Sequence, residues 1–220
     1  MMLVLTLIST AWSLELAPVD RPSVGTSAFT IERGGLQLES GLQIDGSSAG
    51  SLSSFPTMLR IGLHDRIELR PYTSIVSHSE ADTLLLPSSG VQGKVELYAP
   101  QDKYVAIGVL ASSDMNSGSG LLLLDAWKND WSIWLNTGYS LEYETTTGST
   151  SVVGGVAYAL PNKQGIFIES SATISRTSAF TIQSGYSKTL DSVQVDIYAL
   201  KDVTTPGAWQ LATGIGWRFR

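Results

Sequence analysis

The chain of 220 residues contains no cysteine, only two histidines and no apolar run near the roughly 20 residues that a membrane-spanning helix requires. Without cysteine it can form neither a disulfide framework nor a Cys-ligated zinc site. A chain without thiols also suits export through an oxidising periplasm. If the protein crosses a membrane, it must do so as a β-barrel.

Charge is sparse and slightly acidic, with 14 Lys and Arg against 20 Asp and Glu and a formal net charge of −6. The basic residues are scattered singly, which disfavours nucleic-acid binding. The two possible imidazole bases, His64 in a tight turn and His78 in a Ser-rich loop, are predicted at opposite ends of the fold. We therefore expect no catalytic residues, no metal site and no cofactor. An outer-leaflet lipid hydrolase built on His78-Ser79-Glu80 is the weakly supported alternative.

The first residues resemble an exported leader. Met1 to Ile8 are mostly apolar, and an Ala-x-Ser site follows at residues 11–13. We predict a signal peptide over 1–13, although no basic residue precedes it and a first buried strand is the alternative. Residues 14–34 lack clean alternation and contain Pro22, which indicates a periplasmic lead-in or lumen segment before a barrel over 35–220.

Apolar and polar residues alternate in segments of strand length. The clearest example is the C-terminal run, in which Trp209, Leu211 and Ile215 share one parity and the small or polar residues share the other. A sheet with this many charges on its second face is not buried on both sides. It either faces water there or closes around a polar lumen, as in a membrane barrel.

The connections favour the barrel. Tight polar turns alternate along the chain with longer Ser- and Gly-rich links; examples are the turns 64–66, 128–130 and 161–164 and the links 46–54 and 77–90. This order predicts an up-and-down barrel with short turns at one end and long loops at the other. Both termini would lie at the short-turn end, which faces the periplasm. A soluble β-sandwich is the less favoured alternative. The predicted all-β fold is a closed antiparallel transmembrane barrel of about 12 strands, near 35–45, 55–63, 67–76, 91–99, 104–111, 120–127, 131–143, 151–160, 165–174, 179–188, 193–199 and 208–219.

Aromatic residues flank several predicted turns. Tyr98 and Tyr104 bracket one, Trp127 and Trp131 another, and Trp217 lies near the end of the last strand. Rings at strand ends are typical of the interfacial girdle of an outer-membrane barrel.

Charged residues of the early strands occupy the parity opposite to the apolar residues and should point into the barrel, together with His64. A tight turn after Leu63 would place Arg60 diagonal to Glu68, within reach of long side chains. These residues form either a selective constriction or a ladder of ion pairs that fills a narrow lumen. The lumen and selectivity candidates are Glu39, Arg60, Glu68, Arg70, Lys94 and Glu96, with Asp125, Glu169 and Asp196 as further lining residues.

Several runs resemble one bacterial family, the outer-membrane transporters named after the meta-cleavage pathway of phenol degradation. The resemblance implies an outer-membrane β-barrel transporter with no catalytic residues to carry over. Two features depart from such barrels, because Arg220 follows the aromatic Phe219 and the leader has no basic head. The similar runs are Asp20-Arg21-Pro22-Ser23, Ser27-Ala28-Phe29-Thr30-Ile31, Gly35-Leu36-Gln37-Leu38-Glu39 with Gly41, residues 56–70, Leu135-Asn136-Thr137-Gly138-Tyr139 and residues 214–219.

The leading hypothesis is an outer-membrane barrel of the Gram-negative envelope that passes or binds small molecules. The expected partners are outer-membrane lipid, a small-molecule solute and the barrel assembly machinery. A closed structural barrel without flux is the main alternative.

Overall fold

The computed structural model describes residues 25–47, 50–78, 83–100 and 104–219, and within these ranges the regular elements are all strands. The predicted signal peptide and residues 14–24 lie outside the described residues. The twelve strands are β1 (Leu36–Ser47), β2 (Gly50–His64), β3 (Ile67–His78), β4 (Thr83–Tyr98), β5 (Val105–Asp114), β6 (Ser117–Lys128), β7 (Trp131–Glu142), β8 (Gly148–Leu160), β9 (Gln164–Ile174), β10 (Ala179–Leu190), β11 (Val193–Asp202) and β12 (Trp209–Phe219).

Each strand pairs antiparallel with its neighbour in the chain, and β1 pairs with β12 to close the barrel. The closing register places Glu39 opposite Gly216 and Ile44 opposite Leu211. The predicted closed up-and-down barrel of about 12 strands is confirmed. In the part of the chain that the structure describes, no helix is long and apolar enough to span a bilayer.

The two faces of the wall differ in chemistry. Large apolar side chains are exposed on the outside, as Leu211, Ile215 and Trp217 of β12 illustrate with 43–49% exposure. Inside, Glu39 and Lys94 are fully buried. A soluble sandwich would bury its apolar faces against each other, so the outward-facing apolar surface of the closed sheet contradicts that alternative.

The barrel has two mouths. The terminal mouth is the end where β1 begins and β12 ends, and its turns include 129–130 and 191–192. In these turns Asn129 (φ 55°) and Asp191 (φ 51°) adopt the left-handed backbone conformation, which Asn and Asp tolerate. The distal mouth is the opposite end, with connections at 48–49, 79–82, 115–116, 143–147, 175–178 and 203–208.

The strands are longer and the distal connections shorter than predicted. The predicted loops 46–54 and 77–90 are largely strand, since β2 begins at Gly50 and β4 at Thr83. Ser and Gly favour turns locally, but a closed sheet offers every backbone group a ladder partner and overrides that preference.

The predicted side-chain direction, into the lumen or towards the exterior, was wrong for two residues. The register between β2 and β3 shifts between Gly62 and His64, and His64 is exposed and does not line the lumen. Trp127 does not belong to an exterior girdle, because its ring packs edge-on against Phe29 with centroids 4.5 Å apart, beside the buried apolar cluster.

Candidate functional site

A charged cluster lies inside the barrel on β1, β2 and β3. The Arg60 guanidinium donates to both carboxylate oxygens of Glu68, from Nε at 2.6 Å and from Nη2 at 3.0 Å. Its Nη1 donates to Glu39 Oε1 at 3.1 Å, and Arg70 Nε also donates to Glu68. Since Gly62 pairs with Glu68, Arg60 is diagonal to Glu68, as the turn geometry predicts. Four of the six lumen candidates therefore form one network.

The other two candidates lie on β4. Lys94 pairs with Glu68 in register, is completely buried, and donates from Nζ to the Ser27 carbonyl at 3.0 Å. Glu96 lies two residues nearer the terminal mouth and is half-buried. The six candidates thus occupy four consecutive strands, with Lys94 connecting the charged cluster to the chain that precedes β1.

That preceding stretch, residues 25–34, is called the entry segment. It follows the inner wall from β9 round to β3 before it enters β1. Five buried side chains of the wall form hydrogen bonds with its backbone. Four of them accept from an N–H group: Glu169 from Gly25 (2.9 Å), Asn136 Oδ1 from Thr26 (2.7 Å), Asp125 from Ala28 and Glu68 Oε2 from Ile31 (2.8 Å). The fifth, Lys94, donates to the Ser27 carbonyl.

Apolar contacts fix the middle of the entry segment. Ala28 is fully buried and packs in one cluster with Ala106, Leu110 and Leu123 of β5 and β6. The lumen wall is therefore not uniformly polar, and an apolar patch lies beside the charged network.

Close backbone approach also shapes the wall. A Cβ at Gly62 would collide with the carbonyl oxygens of Ile31 and Glu32, and Gly34 N donates to Gly62 O at 2.8 Å. Only glycine leaves room for the entry segment at this position.

Sequence reasoning named Asp125 and Glu169 as lining residues but did not connect them with the entry segment, and it did not select Asn136. The inward parity of Asn136 in the predicted strand 131–143 was the available signal. Its partner Thr26 is 110 residues away in sequence, a separation that strand periodicity cannot bridge.

A second polar region lies towards the distal mouth. Hydrogen bonds run from Gln43 to the Tyr198 hydroxyl (2.8 Å), from that hydroxyl to Gln210 (2.7 Å), and from Gln210 to Asp45 (2.6 Å). A cavity of about 390 Å³ adjoins this chain, with Leu52 also in its lining.

The chemistry of these regions is that of binding and electrostatics. The lumen groups are charged, amide and hydroxyl side chains on rigid strands. In the described ranges, no three His, Cys, Asp or Glu side chains are grouped to hold a metal ion.

No family model and no curated protein matches the sequence. Solved structures do match its fold. The NanC porin aligns with a TM-score of 0.66 at 8% identity, over 82% of this chain and 98% of that one. An outer membrane channel from Pseudomonas putida F1 aligns with a TM-score of 0.62 at 12% identity, over 90% and 100%. The KdgM porin in complex with disordered oligogalacturonate aligns at 0.60 and 11%, over 84% and 99%. The chain therefore has the fold of porin-like outer-membrane barrels.

Proposed function

We propose that this protein is a bacterial outer-membrane channel that passes or binds small molecules and is not an enzyme. The observation that carries the proposal is the distribution of side chains on the closed sheet. Large apolar residues are exposed outside, and ionised residues are buried inside. This pattern suits a wall with lipid on one side and a polar conduit on the other.

Membrane insertion follows from the same pattern. A closed barrel leaves no unpaired strand edge, so its backbone is satisfied within a bilayer. The proposed environment is outer-membrane lipid, reached with a signal peptide over 1–13 and the barrel assembly machinery, and with the terminal mouth in the periplasm. Nucleic acid is not a proposed partner.

The six lumen candidates are proposed to set selectivity. Arg60 bonds to Glu39 and Glu68, Arg70 bonds to Glu68, and Lys94 lies opposite Glu68 on the adjacent strand, so both signs of charge stand together beside the lumen. Changing one charge should alter ion preference without changing the fold type.

Membership of the outer-membrane transporter family named after phenol meta-cleavage is the finer proposal. The sequence runs similar to that family support it, including residues 56–70, which form the β2–β3 hairpin. The barrel fold agrees with what that resemblance implies.

A structural barrel without flux is the second candidate, and a specific observation favours it. The entry segment occupies the inner wall from β3 to β9 and covers part of the lumen. The charged cluster would then fill the barrel and brace it.

Conductance across a planar bilayer separates the two candidates. For the channel, we expect discrete current steps from protein whose folding is verified by heat-modifiable migration on a gel. Arg60→Gln should shift the reversal potential towards cation preference, because it removes a positive charge from the lumen. Arg66→Gln at the exposed turn is the matched control and should leave the potential unchanged. Folded protein without current steps would favour the structural barrel.

A further inference from the structure

Side chains of the wall hold the backbone of the entry segment from Gly25 to Ile31, and a backbone bond from Gly34 N to Gly62 O (2.8 Å) follows near its end. The side chains that form hydrogen bonds with its backbone come from five different strands, and each is at least nine-tenths buried. They are Glu68 on β3, Lys94 on β4, Asp125 on β6, Asn136 on β7 and Glu169 on β9. Buried charged and amide groups require partners, and here peptide groups of the entry segment are among them, beside Arg60 and Arg70 at Glu68 and Trp134 at Glu169.

The clearest sign of peptide recognition is Asn136. Its Oδ1 accepts from the Thr26 N–H at 2.7 Å, and its Nδ2 donates to the Thr26 carbonyl at 2.9 Å. One side-chain amide thus satisfies both polar groups of one residue. The next residues follow the same scheme, because Lys94 binds the Ser27 carbonyl and Asp125 accepts the Ala28 N–H. The wall thus supplies acceptors for the N–H groups and donors for the carbonyl groups of consecutive peptide units.

Shape agrees with this chemistry. Residues 25–28 are Gly, Thr, Ser and Ala, and the Ala28 carbonyl oxygen lies 3.0 Å from the place that a Cβ on Gly108 would occupy. Phe29 then contacts Trp127 as a single aromatic anchor. The wall therefore admits a chain of small residues followed by one ring.

The row of side chains continues past the end of the described entry segment. Gln183 on β10 pairs directly with Glu169 and is 1% exposed. Among the described residues, neither atom of its amide has a hydrogen-bond partner. A buried amide left in this state is costly, and a further peptide unit would satisfy it as Thr26 satisfies Asn136.

We propose that Glu68, Lys94, Asp125, Asn136, Glu169 and Gln183 form a binding site for a peptide backbone, the peptide track, and that the entry segment is its tethered occupant. A free peptide of small residues with one aromatic residue occupies the track when the entry segment is displaced. If such a peptide is the solute that the channel admits, the inference rests on the proposed function. The binding of a peptide to the track is inferred only from the contacts between the wall and the entry segment.

The test uses the full chain, folded before the entry segment is released. A protease recognition sequence is inserted between Arg33 and Gly34, which are both exposed, and the protein is cleaved after folding in detergent. A fluorescent peptide with the sequence of residues 25–33 is then added and its anisotropy is measured. We expect saturable binding with one peptide per barrel.

Two matched peptides make the result specific. N-methylation of the peptide nitrogen at Ala28 removes the N–H that Asp125 accepts while keeping the side chain, and it should weaken binding about tenfold. A peptide with the reversed sequence has the same composition and should not compete. Equal binding of the three peptides would overturn the track. Loss of the cleaved entry segment from the barrel, with no added peptide binding in its place, would also overturn it. A cleaved segment that co-elutes with the barrel and exchanges only with excess labelled peptide supports it.

Current measurements on the same cleaved protein separate this inference from the proposed function. Saturable binding without current keeps the track and rejects the channel. Current that the native peptide blocks, and the reversed peptide does not, supports both. Current from a barrel that binds none of the peptides rejects the track and keeps the channel.

Discussion

At the scale of single residues, Arg60 is the centre of the charged cluster, since it bonds two carboxylates on two strands. Arg60→Ala leaves Glu39 and Glu68 close together, buried and short of a cation. We expect the free energy of unfolding, measured with urea in detergent micelles, to fall by about 3–5 kcal/mol.

The control for this change is Lys201→Ala. Lys201 is exposed and donates to the Ala208 carbonyl near the distal mouth, so its loss should have little effect. Equal stability losses for the two variants would show that the charged cluster does not brace the barrel.

The charged cluster was predictable from sequence because strand parity and one tight turn fix which side chains meet. Arg60 and Glu68 are separated by a single hairpin, and the two-residue period places both inside. The contact between Asn136 and Thr26 was not predictable, because a segment without periodicity carries no register. Trp127 was assigned to the exterior although it shares the strand parity of the lining residue Asp125, so parity already pointed its ring inward, where it contacts Phe29.

At the scale of strands, the difference between the two faces can be measured on β6. Leu122 lies midway along this strand, is 40% exposed, and pairs with Val109 of β5. Leu122→Arg places a charge among lipid tails, and we expect a loss of about 2–4 kcal/mol in unfolding experiments in lipid vesicles.

Ser119→Arg on the same strand is the matched change towards the lumen. Ser119 is half-buried and its hydroxyl lies 2.6 Å from that of Ser112. An arginine there extends along the lumen towards water and should cost much less than one at Leu122. Comparable losses at both positions would contradict a lipid-facing exterior.

Strand positions were predicted better than strand ends. The C-terminal run from Trp209 to Phe219 alternates with Thr213 as the one polar residue on its apolar parity, and the structure has β12 over these residues. The start of β4 was missed by eight residues because its first half carries no alternation of its own and is held by pairing with β3. Pairing between strands therefore sets the ends that local pattern leaves undefined.

At the scale of the whole molecule, closure joins the first strand to the last. Ser40 of β1 pairs with Ile215 of β12, and Val195 of β11 pairs with the same Ile215 from the other side. Directly opposed residues in an antiparallel pair have the Cα separation that a disulfide requires. Because the chain has no cysteine, two engineered thiols can form only one bridge.

We expect the pair Ser40→Cys with Ile215→Cys to oxidise readily and to stabilise the barrel more than the pair Val195→Cys with Ile215→Cys. The first bridge closes a loop of roughly 175 residues and the second a loop of roughly 20, so loop-closure entropy gives about 5 against about 3 kcal/mol. Urea unfolding of the oxidised and reduced forms measures each contribution, and a non-reducing gel verifies the bridge. An open sheet would leave β1 and β12 apart, in which case the first pair would stay reduced while the second still formed. Oxidation of both pairs, with the larger gain across the β1–β12 seam, is the result that only a closed barrel produces.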